Sequence, residues 1–166
     1  MSDEHRRDQR VETTFAVLVV SDTRTEATDK SGKIAKELVT AEGHTVGAYD
    51  IVPNDAEAIR EKVLRYIDDS EIRVILTSGG TGVGKKDLTA DVLGQLFEKT
   101  LEGFGEHFRR LSHDEIGLPG IYSRSTAGLI GKKVAFCLPG SKNAMATALN
   151  EIILPSIGHL LWEVDR

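Results

Sequence analysis

The chain has 166 residues, a formal charge of -5 and a sequence pI near 5.6. That length suits one domain able to bury about 70% of its unfolded surface in a single core. The acidic balance argues against a nucleic-acid partner, which demands clustered lysine and arginine. The only cysteine, Cys137, lies inside the apolar run 134–138. It reads as core and leaves no partner for an intrachain disulfide or a cysteine metal cluster. No stretch approaches the ~20 apolar residues of a membrane span, and the N-terminus lacks the apolar block of a signal peptide, so a cytoplasmic protein with no membrane partner is expected.

Residues 1–12 mix charges without an apolar period and predict a flexible polar tail ahead of a single domain at 13–166. The run FAVLVV at 15–20 is apolar on consecutive positions, as in a strand buried on both faces of a parallel sheet. Ser21, Asp22 and Thr23 then fall at its carboxyl end. Asp29 and Ser31 are both candidate caps for a helix whose Ile34, Ala35, Leu38 and Val39 keep helical spacing until Gly43. Val46, Ala48, Ile51 and Val52 fit a strand imperfectly, and Pro53 ends it. Asn54, with Glu57 three residues later, resembles a capping box before a helix carrying Ile59, Val63 and Ile67 on one face.

Residues 73–89, RVILTSGGTGVGKKDLT, organise the rest. A buried strand breaks into Gly79, Gly80, Gly82 and Gly84, then Asp87, then a helix with Thr89 as its expected N-cap and Val92, Leu93, Leu96 and Phe97 as its apolar face. Ligands of open α/β sheets bind beyond the carboxyl ends of the strands, where glycines let backbone amides approach an anion. The spacing Gly79, Gly84, Lys85 meets Lys86 where a P-loop needs Ser or Thr, and the dinucleotide fingerprint from Gly80 and Gly82 meets Lys85 at its third glycine. Neither motif is satisfied, which leaves an anion-binding loop of another kind or a plain surface turn.

Phe104, Phe108 and Leu111 mark a further helix stopped near Gly117 and Pro119, and 121–130 reads as extended. VAFCL at 134–138 is another buried strand, ending in Pro139, Gly140 and Ser141. Ala144, Met145, Ala148, Leu149 and Ile152 give the next helix an apolar face, which Pro155 is expected to break before a last segment bearing Ile157, Leu160, Leu161 and Val164. The alternation predicts an α/β fold: a three-layer doubly wound sandwich with a mostly parallel central sheet. The five histidines are scattered without metal spacing, and no G-x-S-x-G elbow is present. Strand-end loops of glycine, serine and carboxylate suit phosphoryl or nucleotidyl transfer, where a protein positions phosphates and a divalent ion.

SGGTG at 78–82, the acid of KDLT at Asp87, EGFGEHFRRLSHDEIG at 102–117, SRSTAG at 123–128 and LPGS at 138–141 together resemble the MoaB/Mog family of molybdenum cofactor biosynthesis, similar also to the G domain of plant and animal molybdopterin adenylyltransferases. The resemblance runs from residue 15 to the C-terminus. It implies a MoaB/Mog-like molybdopterin-binding domain that takes ATP as substrate with Mg2+ and transfers AMP to the terminal phosphate of molybdopterin before metal insertion. Carried over residue by residue, Ser78, Gly79, Gly80, Thr81 and Gly82 match the phosphate-contacting loop, and Asp87 the essential acid and magnesium ligand. Ser125 and Asn143 match pterin contacts, Pro139, Gly140 and Ser141 the wall between, and Asp22 a strand-end acid of the same cleft. Family members commonly carry Pro-Asp after the second strand, whereas here Pro53 precedes Asn54 and Asp55. The expectation is that Asp55 supplies the catalytic charge and joins Asp87 on magnesium while Asn54 caps the helix, with Asn54 as the alternative metal-facing oxygen. Two functions stay open: an adenylyltransferase, and a weak or inactive molybdopterin-binding scaffold. The resemblance also implies a homo-oligomer, a trimer or a dimer of trimers, and a downstream metal-insertion protein as a further partner.

Overall fold

A computed structural model describes residues 11–166; the expected tail therefore falls, except for the exposed Val11 and Glu12, outside the described residues. Six strands form one sheet: β1 (Thr14–Val20), β2 (Thr45–Val52), β3 (Ile72–Ser78), β4 (Lys99–Thr100), β5 (Thr126–Ile130) and β6 (Lys133–Leu138). Their order is β2-β1-β3-β6-β5-β4, parallel from β2 to β6 and antiparallel at β5 and β4. The helices are α1 (Lys30–Ala41), α2 (Ala56–Asp68), α3 (Thr89–Leu96), α4 (Glu102–Ile116), α5 (Lys142–Ala148) and α6 (Leu154–Asp165). This is the expected mostly parallel α/β sandwich.

The continuous apolar runs divide by the period of two that a strand imposes. Phe15, Val17, Val74, Leu76, Val134, Phe136 and Leu138 point to one layer, where α1, α4, α5 and α6 cover them. Ala16, Leu18, Val20, Ile75, Ala135 and Cys137 point to the other, under α2 and α3. Burial pushes the Cys137 thiol up to about 12, so it serves as a small apolar filler. β2 pairs with β1 alone and is partly exposed along most of its length, which explains its imperfect apolar pattern.

Several local expectations are corrected. Asp55, not Asn54, is the N-cap of α2: its extended backbone (φ -134°, ψ 127°) lets Oδ2 accept the Ala58 N–H at 2.9 Å. Thr89 is not the N-cap of α3; it is the first helical residue, and the capping position is Leu88, which makes no side-chain cap bond. Of the two candidates at α1, Asp29 caps, accepting from Gly32 N–H at 3.0 Å. Residues 118–122 form a 3-10 turn, so only Thr126–Ile130 of the expected extended stretch is strand.

Pro155 does not break the chain's last helix. The run Lys142–Asp165 is continuous, because a π-helical stretch at Leu149–Ile153 absorbs the missing N–H of Pro155. Among the described residues it is the one helix long and apolar enough by composition to cross a membrane, contrary to the expectation that none would be. Its Met145, Ala148, Leu149, Ile153, Ile157 and Leu161 are instead buried in the core beside β1, β3 and β6.

Candidate functional site

The parallel strands bring the exits of β1, β2, β3 and β6 to one edge, and the antiparallel β5 starts there. Sheet order reverses between β1 and β3, since the chain runs outward to β2 and then crosses back. That switch point is where open α/β sheets hold ligands.

The loop leaving β3 is shaped by its glycines. Gly79 has φ +105° and Gly80 φ +77°, values a side chain rarely adopts. A Cβ on Gly79 would stand 2.4 Å from the Val20 carbonyl oxygen, and one on Gly80 2.1 Å from Thr89 Oγ1. Gly79 N–H donates to Leu138 O at 2.9 Å and Thr89 N–H to Gly80 O at 3.1 Å, pinning the loop to β6 and α3. Thr89 Oγ1 is buried and, among the described residues, has no partner.

Asp87 folds back over this loop. Its Oδ2 accepts the Gly84 N–H at 2.8 Å, and a Cβ on Gly82 would stand 2.7 Å from the same oxygen. Oδ1 forms no hydrogen bond among the described residues and stays available. Arg124 holds the outer side: Nε donates to Gly82 O at 2.8 Å, Nη2 to Asp87 O at 2.8 Å, and the fork grips Asp91 at 2.8 and 3.0 Å. Arg124 N–H also donates to Thr81 O at 2.7 Å. This charge-assisted pair holds the Asp91 carboxyl below its ordinary range and raises the already basic Arg124. Within SRSTAG the expected site residue is Ser125, while Arg124, a basic residue between two serines near a strand start, carries the contacts to the loop.

A cleft of ≈ 370 Å³ opens against the loop. Gly80, Thr81, Gly82 and Asp87 form one wall, Pro139, Gly140, Ser141 and Asn143 another, and Ile116 and Tyr122 a third, apolar side. Eight of the expected site residues thus meet, and Ile116 and Tyr122, 63% and 65% exposed, were not foreseen. Ser141 Oγ caps α5 by accepting Ala144 N–H at 3.0 Å.

The other expected residues lie elsewhere. Ser78 is buried beneath the edge, with Oγ 2.8 Å from Ser31 Oγ. Gly79 is backbone support. Ser125 is buried with its carbonyl receiving Arg109 Nη1 at 2.8 Å, in an adjoining depression. Asp22 accepts Asn54 N–H at 2.9 Å and Lys86 Nζ at 3.4 Å, bonds that hold its carboxyl low, the backbone bond foremost. Asp22, Asn54 and Asp55 do not line the cleft, and Asp55 Oδ2 is engaged by its cap. Of the two acids expected to share magnesium, the cleft therefore holds Asp87 alone.

Among the described residues no cluster of three or more His, Cys, Asp or Glu gathers as a metal cage. Asp87 with one free oxygen fits magnesium all the same, because that ion is held by one or two carboxylates together with substrate phosphates and water.

Fold and site define an open α/β protein with a glycine-loop cleft beyond the carboxyl ends of β3 and β6. Residues 16–159 match the family described as "Probable molybdopterin binding domain", and the chain belongs to that family. It is 43% identical over 164 residues to molybdenum cofactor biosynthesis protein B of Bacillus anthracis, covering 98% of this chain and 97% of the relative. A crystal structure of a molybdenum cofactor biosynthesis protein B superposes with TM-score 0.91 at 43% identity, covering 94% of this chain and 98% of the other. The tungsten cofactor synthesizing protein MoaB from Pyrococcus furiosus does so with TM-score 0.85 at 36% identity, covering 95% and 100%.

Proposed function

We propose that the protein acts in molybdenum cofactor biosynthesis by transferring AMP from MgATP to the terminal phosphate of molybdopterin, releasing pyrophosphate. The observation that carries this is Asp87 poised over an open glycine loop inside the cleft, with one carboxylate oxygen uncommitted. Bond by bond, an oxygen of the pterin phosphate attacks the α-phosphorus and the bond to the pyrophosphate oxygen breaks. The loop at Gly80–Gly82 binds and orients polyphosphate through backbone N–H groups, and Asp87 would hold magnesium, which would offset charge on the phosphates. Pro139, Gly140, Ser141 and Asn143 would seat the pterin side, with Ile116 and Tyr122 covering it from water. Incubation with MgATP and molybdopterin, followed by mass spectrometry, should show the adenylylated pterin; its absence sinks the transfer reaction.

One observation favours the second function, a molybdopterin-binding scaffold. Asp55 caps α2 and Asp22 pairs with Lys86, so of the three acids expected at the site only Asp87 lines the cleft. Binding of molybdopterin without turnover would decide for it. A cytoplasmic homo-oligomer, trimer or dimer of trimers, that hands its product to a metal-insertion protein belongs to the same proposal. Light scattering that reports a clean monomer at micromolar concentration would remove the oligomer.

A further inference from the structure

We infer that Arg24 is a phosphate anchor of the site, acting without the metal and from the opposite side of the switch point to Asp87. The inference rests on the transfer reaction for its choice of ligand but not for its geometry. Arg24 follows β1 in the turn SDTRT. Ser21 Oγ fixes that turn by accepting the N–H of Thr23 at 3.2 Å and of Arg24 at 3.1 Å, which returns the side chain over the sheet edge. Nη1 donates to Ser31 Oγ at 3.2 Å, and Ser31 is locked in turn to Ser78 and Asp29. Ser31 and Asp29 are buried, so the guanidinium is aimed by a rigid base.

Its fork lies against the backbone of the β6 loop. A Cβ on Gly140 would stand 3.6 Å and 3.7 Å from Arg24 Nη1 and Nη2, and 3.5 Å from the Gly79 Cα. The fork therefore faces the seam where the β3 and β6 loops meet, beside the Gly140 that lines the cleft. Arg124, by contrast, has its charge answered by Asp91. Among the described residues Arg24 has no carboxylate partner, and its contact with one neutral hydroxyl leaves most of its N–H donors for a guest. A half-buried, permanently charged fork so placed suits a phosphate, which it can take in two parallel hydrogen bonds. The bland alternative, a strut for Ser31, uses a single donor.

The phosphate comes either from the tail of ATP or from the terminal monoester of molybdopterin, and binding separates the two. ATP and molybdopterin are titrated separately into the full-length protein by calorimetry with EDTA present, using wild type, Arg24→Gln and Arg24→Lys, with thermal melting as the folding check. Arg24→Gln should weaken one ligand about tenfold to a hundredfold. Arg24→Lys should fall between, since it keeps the charge but loses the fork. Loss confined to ATP assigns the polyphosphate tail, and loss confined to molybdopterin assigns the monoester. Unchanged affinity for both in folded Arg24→Gln overturns the anchor. If that variant does not fold, Arg24→Lys decides alone, and wild-type affinity there overturns it. Product formation is measured separately, so an anchor that binds without turnover leaves this inference standing while the transfer reaction falls.

Discussion

Asp87 and Asp55 are the same residue type in the same kind of place, just beyond the carboxyl end of a parallel strand, yet they do opposite work. After β2 the helix starts at once, and Asp55 takes the extended N-cap geometry that turns Oδ2 onto Ala58 N–H. After β3 the helix is postponed by a loop of glycines, so Asp87 lies one residue before the N-cap, Leu88. Its carboxylate meets a loop amide instead of a helix amide and keeps an oxygen for the cleft. Backbone path, not side-chain chemistry, decides which acid is structural.

The sharpest way to break this contrast is Asp87→Asn. Asn retains an acceptor for Gly84 N–H, so the fold should persist while adenylyl transfer falls about a hundredfold to a thousandfold. Equal product from both proteins would remove Asp87 from catalysis. Next in size is Gly80→Ala. A side chain at φ +77° that collides with buried Thr89 should cost about 3 kcal/mol by denaturant unfolding, and nucleotide affinity should fail with it. An unchanged midpoint would show that the loop tolerates a Cβ.

Arg124→Met removes the loop's outer clamp and should cost about 2 kcal/mol, discounted for its partly exposed setting, with a larger rise in KM for ATP than fall in kcat. The clamp is also readable by pH. Asp91 is held below its ordinary 3.8 in the folded state, so its contribution is present above that value and lost as pH falls through the depressed one. The stability gap between wild type and Asp91→Asn should therefore close in acid and stay constant toward neutrality. The smallest effect belongs to the contrasting acid. Asp55→Ala should lose about 1 kcal/mol as a missing cap, leaving product formation unchanged. A sharp loss of activity, rescued by added magnesium, would restore Asp55 to the metal.

The strands that build the edge were legible because burial on both faces demands unbroken apolar runs: FAVLVV, VIL and VAFCL all became central strands. The place of the glycine loop and Asp87 was legible too, since clustered glycines after a buried strand mark a break in regular structure. β4 escaped notice because two exposed residues, Lys99 and Thr100, carry no period at all. The choice between Asn54 and Asp55 was not legible: both side chains cap well, and only the dihedral at which the chain enters α2 selects one. Nor was the work of Arg24 and Arg124. Each lies against groups tens of residues away in sequence, Gly82, Asp87 and Asp91 for Arg124 and Gly140 for Arg24, brought near by the crossover of β3 and the reversal of β5. Short-range pattern thus determined the central strands, the loop and its acid. Tertiary structure alone assigned the charges around them, because a charge acquires its role from neighbours that local sequence does not name.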